Sequence, residues 1–282
     1  MFSRMVISNI KRVLENAGFL VNGELFVIKT NDDFDLVRYI SLNDSYIIKF
    51  YKNNNKISNY NILEKYGIKT LNYDIVGENI VIFKDVMELD GFRKIENNDF
   101  NNENVIRGLA KWYKELHNCD DENLEEFDCF TLDNLKKAID VFRLNENKAL
   151  LYICDNFYNI SLKYNRIKKC LNYGNFLLEN VIVSEDCSEV FMVDFDTLNR
   201  GNRYKDIDSV LSKLNQKQKD IFIGEYGKIS DDEMIINYVV NSVVKLYLAT
   251  KEKILPVWVK GVLEDINNDK LYQSAFCLVN WY

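Results

Sequence analysis

The chain has 282 residues, 47% of them apolar and 28% charged, a composition typical of a globular protein with one large domain or two lobes. No apolar run approaches the roughly 18 residues that a membrane span needs, and residues 1–19 lack the apolar core of a signal peptide, so we expect a cytoplasmic protein without a membrane partner. A formal net charge of −7 argues against a nucleic-acid surface, and a single histidine excludes a multi-histidine metal site, so any metal would take oxygen ligands, which favours Mg²⁺.

The first 86 residues predict a small antiparallel sheet with two helices. Residues 4–17 place apolar side chains on one side of a helix, and the runs ELFVIKT, FDLVRYIS and SYIIKFYK read as three strands. The segment NKISNYNILEKY predicts a short helix that Gly67 ends, and LNYDIVG with NIVIFKDV predicts a hairpin turning at Gly77. This region is therefore predicted to be a β-rich lobe.

Beyond residue 86 the apolar spacing becomes helical. Helices are predicted over 103–117, 132–144 and 147–169, with four more towards the end of the chain. Only VIV (181–183) and VFMV (190–193) interrupt this pattern, as a short hairpin. The chain is therefore predicted to be α+β, with a β-rich N-terminal lobe at 1–86 and a larger, mainly helical C-terminal lobe at 87–282.

The acidic excess is confined to the predicted helical lobe. Residues 1–86 carry 11 basic and 10 acidic side chains, whereas residues 87–282 carry 25 and 33, a net charge of −8. This distribution favours a cationic small-molecule ligand, and the alternative is a solvated acidic surface without a binding role. The candidate contributors to such a ligand site are Asp231, Asp232, Glu233, Glu264 and Asp265.

Several polar residues have the types and places that phosphoryl transfer requires. That reaction needs a cation on the nucleotide phosphates, oxygen ligands for magnesium and a group that orients the attacking hydroxyl. Lys49 lies inside an apolar strand, where it must pair, snorkel or point into a cleft. Asn180 precedes VIV and Asp194 ends VFMV, so a hairpin would bring their oxygens to one end of the sheet. Asp196 could project to the same side or cap a turn.

With these residues the chain resembles the protein-kinase-like superfamily over nearly its whole length, in the branch of aminoglycoside phosphotransferases, choline kinases and spore-coat kinase-like proteins. The resemblance implies a bilobal protein-kinase-like fold that binds ATP and Mg²⁺. It makes Lys49 in SYIIKFY the lysine that reaches the α- and β-phosphates. In IVIFKDVMELDGF it implies a hinge whose backbone binds adenine, at Phe83, Lys84, Asp85 and Val86.

The same resemblance assigns the catalytic strip. The family pattern H-G-D-x-x-x-x-N falls on Tyr173, Gly174, Asn175 and Asn180, and VDFD places the second magnesium ligand on Asp194. Two further residues receive supporting roles. Asp206 in YKDID matches an aspartate that steadies the catalytic loop, and His117 in LAKWYKELH is expected to be structural.

The chain departs from the family pattern at four places. Tyr173 replaces the histidine, and Asn175 replaces the catalytic aspartate. The turn TNDDF carries two acids and no glycine where phosphates would approach the backbone. In the helix that should supply a carboxylate to Lys49, the family register falls near Asn59, and the helix's one acid is Glu64, so we expect Lys49 to be weakly anchored.

These departures leave two hypotheses about the function of this fold. An asparagine can orient a hydroxyl but cannot deprotonate it, so a kinase without its base should lose about 10² to 10⁴ in rate. The chain is then a slow ATP-dependent phosphotransferase acting on a small, amine-bearing alcohol. The alternative is a pseudokinase that binds nucleotide or a partner, and a single silencing substitution at Asn175 would leave Tyr173 and the acidic turn unexplained. The sequence specifies neither the acceptor nor the oligomeric state.

Overall fold

The computed structural model describes residues 2–19, 21–52, 56–124, 126, 129–174, 176–252 and 257–280. As predicted, an antiparallel sheet forms in the N-terminal region and the remainder is mainly helical. The strands are β1 Glu24–Thr30, β2 Phe34–Ile40, β3 Ser45–Tyr51, β4 Tyr73–Val76, β5 Ile80–Lys84, β6 Phe92–Lys94, β7 Lys169–Asn172, β8 Val181–Ser184, β9 Val190–Met192 and β10 Asn199–Asn202. The helices are α1 Phe2–Asn16, α2 Ile57–Tyr66, α3 Glu103–His117, α4 Leu132–Phe142, α5 Lys148–Asp155, α6 Phe157–Arg166, α7 Tyr204–Leu211, α8 Gln216–Tyr226, α9 Asp231–Ala249, α10 Val257–Ile266 and α11 Asp269–Asn280.

The chain divides into two compact units, each built from several segments. Unit 1 comprises Met1–Cys119, Asn175–Leu198 and Leu214–Tyr226. Unit 2 comprises Asp120–Gly174, Asn199–Lys213 and Gly227–Tyr282. The lobe boundary expected between residues 86 and 87 falls inside unit 1 and stays a prediction.

Unit 1 begins with a five-stranded antiparallel sheet in the order β1-β2-β3-β5-β4. The apolar face of α1 packs on this sheet, because Val6, Ile10 and Leu14 share a core cluster with side chains of β2, β3 and β5. Helix α2 ends where predicted, at Gly67, whose left-handed backbone (φ 65°) suits glycine. The predicted hairpin also forms, with Gly77 at φ 63° in its turn.

A second sheet of unit 1, in the order β6-β8-β9, lies against α3. Glycine is needed for the close approach of α3 to β9, since a Cβ added at Gly108 would lie 2.8 Å from Val190 Cγ2. The sequence pattern predicted β8 and β9 but missed β6, which is three residues long and pairs with β8. Helix α8 packs on α3 and completes the unit.

Unit 2 is helical around one apolar core, with a two-stranded sheet of β7 and β10. The helix predicted over 147–169 is wrong in extent, because it breaks at Asn156 and ends at Arg166. Both the backbone N–H and the side-chain Nδ2 of Asn156 donate to the carbonyl of Tyr152, so the side chain competes with helix continuation. Five helices, rather than the expected four, follow β10 in the described ranges. None of the described helices is long and apolar enough to cross a membrane.

Candidate functional site

Lys49 lies at the centre of the candidate site in unit 1. Strand β3 buries it, and its Nζ lies 2.6 Å from Asp194 Oδ1 and 2.6 Å from Asp196 Oδ2. The ring of Phe34 covers the ammonium group at 4.3 Å from its centroid. Since a buried charge is tolerated only when it is paired, the two carboxylates stabilise Lys49 in this position. The lysine therefore points at the end of the VFMV strand, 145 residues along the chain.

The β8–β9 hairpin positions Asp194. Val181 pairs with Met192, and the N–H of Val193 donates to the carbonyl of Asn180 at 2.9 Å, so Asn180 and Asp194 stand at the same end of the hairpin, as predicted. Asp194 has a left-handed backbone (φ 65°), which is uncommon outside glycine. Its side chain is 44% exposed. The strained backbone turns this carboxylate out of the strand while it still contacts Lys49.

The chemistry of this hairpin end fits magnesium. Mg²⁺ usually takes one or two protein oxygens and fills its remaining positions with water and substrate phosphates. A carboxylate from Asp194 and an amide oxygen from Asn180 would form such a set. A denser metal cluster is absent, since no group of three or more His, Cys, Asp or Glu side chains in the described ranges could hold a metal ion. The assignment of these two residues to a metal remains a prediction.

Asp196 is the residue whose role the sequence left open. Its Oδ2 accepts from Lys49, and its Oδ1 accepts from the hydroxyl of Tyr51 at 2.6 Å. Burial raises the pKa of Tyr51, with a further contribution from nearby negative charge, so the hydroxyl stays protonated and donates. Asp196 therefore projects to the same side as Asp194.

Helix α2 contributes an amide where a carboxylate was sought. Asn59 is buried, and its Nδ2 donates to the carbonyl of Phe195 at 2.7 Å. Glu64 is exposed on the same helix. The expectation that Lys49 is weakly anchored is therefore wrong, because its carboxylate partners come from the chain after β9.

The predicted hinge lies at the end of β5. Phe83 is buried, and its ring lies 5.7 Å from the ring of Tyr60. Lys84 is exposed, with Nζ 3.8 Å from Asp44. The carboxylate of Asp85 accepts from Arg38 Nε at 2.6 Å and from Ser45 Oγ at 3.1 Å. The backbone N–H of Asp85 donates to the carbonyl of Ser45 at 2.9 Å, so this residue joins the hinge to the sheet and its N–H is already used. Adenine binding at Phe83, Lys84 and Asp85 stays a prediction.

The acidic turn between β1 and β2 is tightly organised. Asn31 Oδ1 accepts from the backbone N–H groups of Asp33 and Phe34, and both turn acids are exposed. Lys52 Nζ donates to the carbonyl of Asn31 and lies 3.1 Å from the buried carboxylate of Asp35. A cation therefore accompanies the acids of this turn.

In unit 2 a buried carboxylate holds the start of the strip that was predicted to be catalytic. Asp206 is 1% exposed, and its two oxygens accept from the N–H of Tyr173 at 2.6 Å and of Gly174 at 2.9 Å. This arrangement confirms the supporting role expected for Asp206. The side chain of Tyr173 is fully buried, and Gly174 has a φ of 93° that favours glycine. Asn175 lies outside the described residues.

The only histidine is structural, as expected. His117 is buried at the end of α3, and its Nδ1 lies 2.8 Å from the hydroxyl of Tyr226 in α8. The pair joins two helices of unit 1.

The acids proposed for a cationic ligand have local partners. Glu233 Oε2 lies 2.7 Å from Arg203 Nη2 and caps α9 together with Ser230. Asp231 and Asp232 lie in the first turn of α9, where negative charge favours the helix dipole. These contacts give the acids structural roles, and their role in ligand binding stays a prediction.

A cavity of about 20 Å³ in unit 2 is lined by three cationic side chains, Lys169, Arg200 and Lys205, together with Glu126 and several asparagines. Burial lowers the pKa of Lys205. The cavity has room for about one or two water molecules, so it is too small for an organic acceptor.

Comparison of the sequence with protein-family models and with curated proteins gives no match. Solved structures do match. Choline kinase LicA from Streptococcus pneumoniae aligns with a TM-score of 0.61 at 14% identity, covering 98% of this chain and 100% of that one. A choline/ethanolamine kinase family protein from Mesorhizobium loti aligns at 0.63 and 12%, covering 97% and 99%. Spectinomycin phosphotransferase APH(9)-Ia, in complex with ADP and spectinomycin, aligns at 0.54 and 12%, covering 96% and 98%.

These alignments extend over nearly the whole of each chain, so the similarity is one of complete fold and not of a single motif. The antiparallel sheet with Lys49 on β3 and the hairpin that ends at Asp194 belong to that fold. This chain has the protein-kinase-like fold in the form seen in choline kinases and aminoglycoside phosphotransferases.

Proposed function

We propose that this protein is an ATP- and Mg²⁺-dependent phosphotransferase that acts slowly on a hydroxyl group of a small, amine-bearing molecule. The observation that carries the proposal is the placement of Lys49 Nζ at 2.6 Å from Asp194. This contact joins the cation suited to nucleotide phosphates to the carboxylate suited to magnesium. Residues 1–86 would then form the nucleotide-binding region, and residues 87–282 would carry the catalytic loop and the acceptor site.

Two of the structural neighbours support the nucleotide and the class of acceptor. LicA has been solved in complex with AMP, and spectinomycin phosphotransferase with ADP and its antibiotic. Other structural neighbours are choline or ethanolamine kinases, and choline and ethanolamine are small amine-bearing alcohols. These shared features favour an amine-bearing acceptor for this chain.

Each candidate residue has a distinct task in this proposal. Lys49 would bind the nucleotide phosphates, while Phe83, Lys84 and Asp85 would line the adenine site. Asn180 and Asp194 would hold magnesium. When bound, this ion neutralises charge on the phosphate oxygens.

The catalytic strip would position the acceptor. Asn175 would accept a hydrogen bond from the acceptor hydroxyl without removing its proton, which explains a slow reaction. Tyr173 would support this loop through its buried ring and through the bond from its N–H to Asp206. The proton would leave with solvent after transfer begins.

The amide at position 175 also favours a second function, that of a pseudokinase that binds nucleotide or a partner without turnover. The phosphotransferase and a nucleotide-binding pseudokinase both require Lys49 and Asp194 to meet a nucleotide, and these two differ only in phosphate transfer. Binding and transfer are therefore measured separately.

We expect Mg-ATP at millimolar concentration to raise the melting temperature of the protein, because a ligand that binds only the folded state stabilises it. Asp194→Asn should abolish the magnesium dependence of this rise and leave the fold intact. The matched control is Asp220→Asn, an exposed acid of unit 1, which should retain the full response. The measurement is thermal unfolding with ATP, with Mg-ATP and with neither.

Phosphate transfer from labelled ATP to choline, ethanolamine and spectinomycin then separates the two functions. Slow transfer that depends on Lys49 supports the phosphotransferase. Binding of Mg-ATP without transfer to any acceptor supports the pseudokinase. No response of the wild type to Mg-ATP contradicts the phosphotransferase and favours a pseudokinase that binds a partner.

A further inference from the structure

The two carboxylates that contact Lys49 differ in how firmly they are held. The side chain of Asp194 is 44% exposed, whereas that of Asp196 is 22% exposed. Asp196 is bonded through both oxygens, one to Lys49 and one to the Tyr51 hydroxyl. Lys49 thus has one partner that solvent and ligands can reach and one that is fixed by the protein.

The strand explains why Asp196 is the fixed partner. Lys49 and Tyr51 are two residues apart on β3, so their side chains leave the sheet on the same face. Tyr51 is fully buried and donates to Asp196 at 2.6 Å. One strand therefore supplies two neighbouring donors to the two oxygens of one carboxylate.

Helix α2 holds the segment between the two aspartates. Asn59 donates to the carbonyl of Phe195, the residue between the two aspartates, at 2.7 Å. This bond fixes the backbone that carries both carboxylates, and the ring of Phe195 lies 6.0 Å from that of Tyr60 on the same helix. The helix therefore holds the segment that carries both aspartates.

We propose that Asp196 is the permanent carboxylate anchor of Lys49, a positioning residue that keeps the ammonium group in place when Asp194 turns to a bound ligand. Without Asp196, a move of Asp194 away from Lys49 would leave a buried ammonium unpaired, which is costly. The proposal rests on the function proposed above, since it concerns the lysine that would bind nucleotide phosphates. In this proposal the chain after β9 supplies the carboxylate partner of Lys49 that was expected from α2.

The test is a double-mutant cycle with Lys49→Met, Asp196→Asn and the double variant, each titrated by calorimetry with Mg-ATP and with adenosine. Adenosine lacks the phosphates that Lys49 would contact. We expect Asp196→Asn to weaken Mg-ATP binding by about tenfold or more, the loss expected for a misplaced charge-assisted hydrogen bond, and to leave adenosine binding unchanged. The double variant should bind Mg-ATP no more weakly than Lys49→Met alone.

Two further variants test the same proposal, one as a weaker change and one as a control. Tyr51→Phe removes one hydroxyl from a buried ring, so it should weaken Mg-ATP binding in the same direction as Asp196→Asn and by less. Asp220→Asn should behave as the wild type. Losses that multiply in the double variant, or an equal loss of adenosine and Mg-ATP affinity in Asp196→Asn, would overturn the proposal.

The same proteins separate this inference from the function on which it rests. Without nucleotide, the fall in melting temperature of the double variant should be smaller than the sum of the two single falls, because both single changes break the same ion pair, Lys49–Asp196. If the wild type binds no nucleotide, the proposed function is contradicted and this second cycle still decides whether Asp196 anchors Lys49. Additive falls in melting temperature would show that it does not.

Discussion

At the scale of single residues, the two proposed functions differ in the chemistry expected of Asn175. Its neighbours in sequence are held by the protein. The N–H of Gly174 donates to Asp206, and Phe176 is 3% exposed.

We expect Asn175→Asp to raise phosphate transfer by roughly ten- to ten-thousand-fold, the range over which a general base contributes. The change replaces an amide with a carboxylate of nearly the same volume, so little stability should be lost. Turnover is measured with labelled ATP and the amino-alcohol panel before and after the substitution. Background activity in a variant that still binds Mg-ATP would favour the pseudokinase. Asn123→Asp is the control, because Asn123 is exposed and lies outside the predicted catalytic strip. Asn172→Asp is unsuitable because Asn172 is fully buried.

The partners of Lys49 show how far sequence reasoning reaches at this scale. The strand identified the lysine, and the hairpin identified Asp194, because each follows from local pattern. The ion pair to Asp196 spans 147 residues and depends on Tyr51, whose alternation in β3 gave no sign of a polar contact. The amide at Asn59 suggested a weak anchor, and only the folded chain shows that the carboxylate arrives from elsewhere.

At the scale of elements, a bidentate ion pair joins β6 to the turn before α3. Arg93 Nη1 and Nη2 each lie 2.7 Å from an oxygen of Asp99. Asp99 also accepts from the N–H of Glu96 at 2.7 Å, closing a capping box. The hydrogen bonds from Arg93 lower the pKa of Asp99.

A lowered carboxyl pKa gives this pair a predictable pH dependence. Its stabilisation is fully present above the pKa of about 3.9 that Asp has in unfolded chains, and it is lost as pH falls through the lower folded value. We expect Asp99→Asn to lower the melting temperature by about 2–4 °C at pH 7, the shift that roughly 1 kcal/mol produces in domains of 150–250 residues.

The difference in melting temperature between wild type and Asp99→Asn should become smaller as the pH is lowered below about 4. Glu103→Gln is the control, since this acid is exposed and its two ion pairs, with Arg107 at 3.7 Å and with Lys217 at 3.2 Å, lie at the surface. Its effect should be small at every pH. Thermal unfolding from pH 7 to pH 3 checks both, and a difference that stays constant over this range would contradict the assignment.

The elements that sequence patterns missed are short and paired across long distances. Strand β10 has the sequence NRGN and β7 has KCLN, and neither shows the alternation or β-branched content of a strand. They form because residues 169–172 pair with 199–202. The longer elements of the first sheet carry a strong local pattern, and their predicted extents agree with the structure to within about two residues.

At the scale of the whole molecule, the acidic excess could act through a field as well as through contacts. Residues 87–282 carry a net charge of −8, and several of their acids already neutralise a basic side chain or a helix terminus. Glu264, for example, lies 3.8 Å from Lys260. Local pairing leaves the net charge unchanged, so an amine-bearing ligand would still be attracted over distances of about one Debye length.

We therefore expect spectinomycin and choline to bind about three to ten times more weakly at 300 mM NaCl than at 50 mM NaCl, because salt screens the attraction between opposite charges. The neutral polyol inositol is the matched ligand, and any affinity it has should not depend on salt. Asp231→Asn combined with Asp232→Asn should reduce the salt dependence for the amines, since it removes two charges from the start of α9. Calorimetric titrations in the presence of Mg-ATP provide the measurement. If inositol binds and neither amine does, or if the amines bind equally at both salt concentrations, the acidity is a property of the surface and the acceptor is not selected by charge.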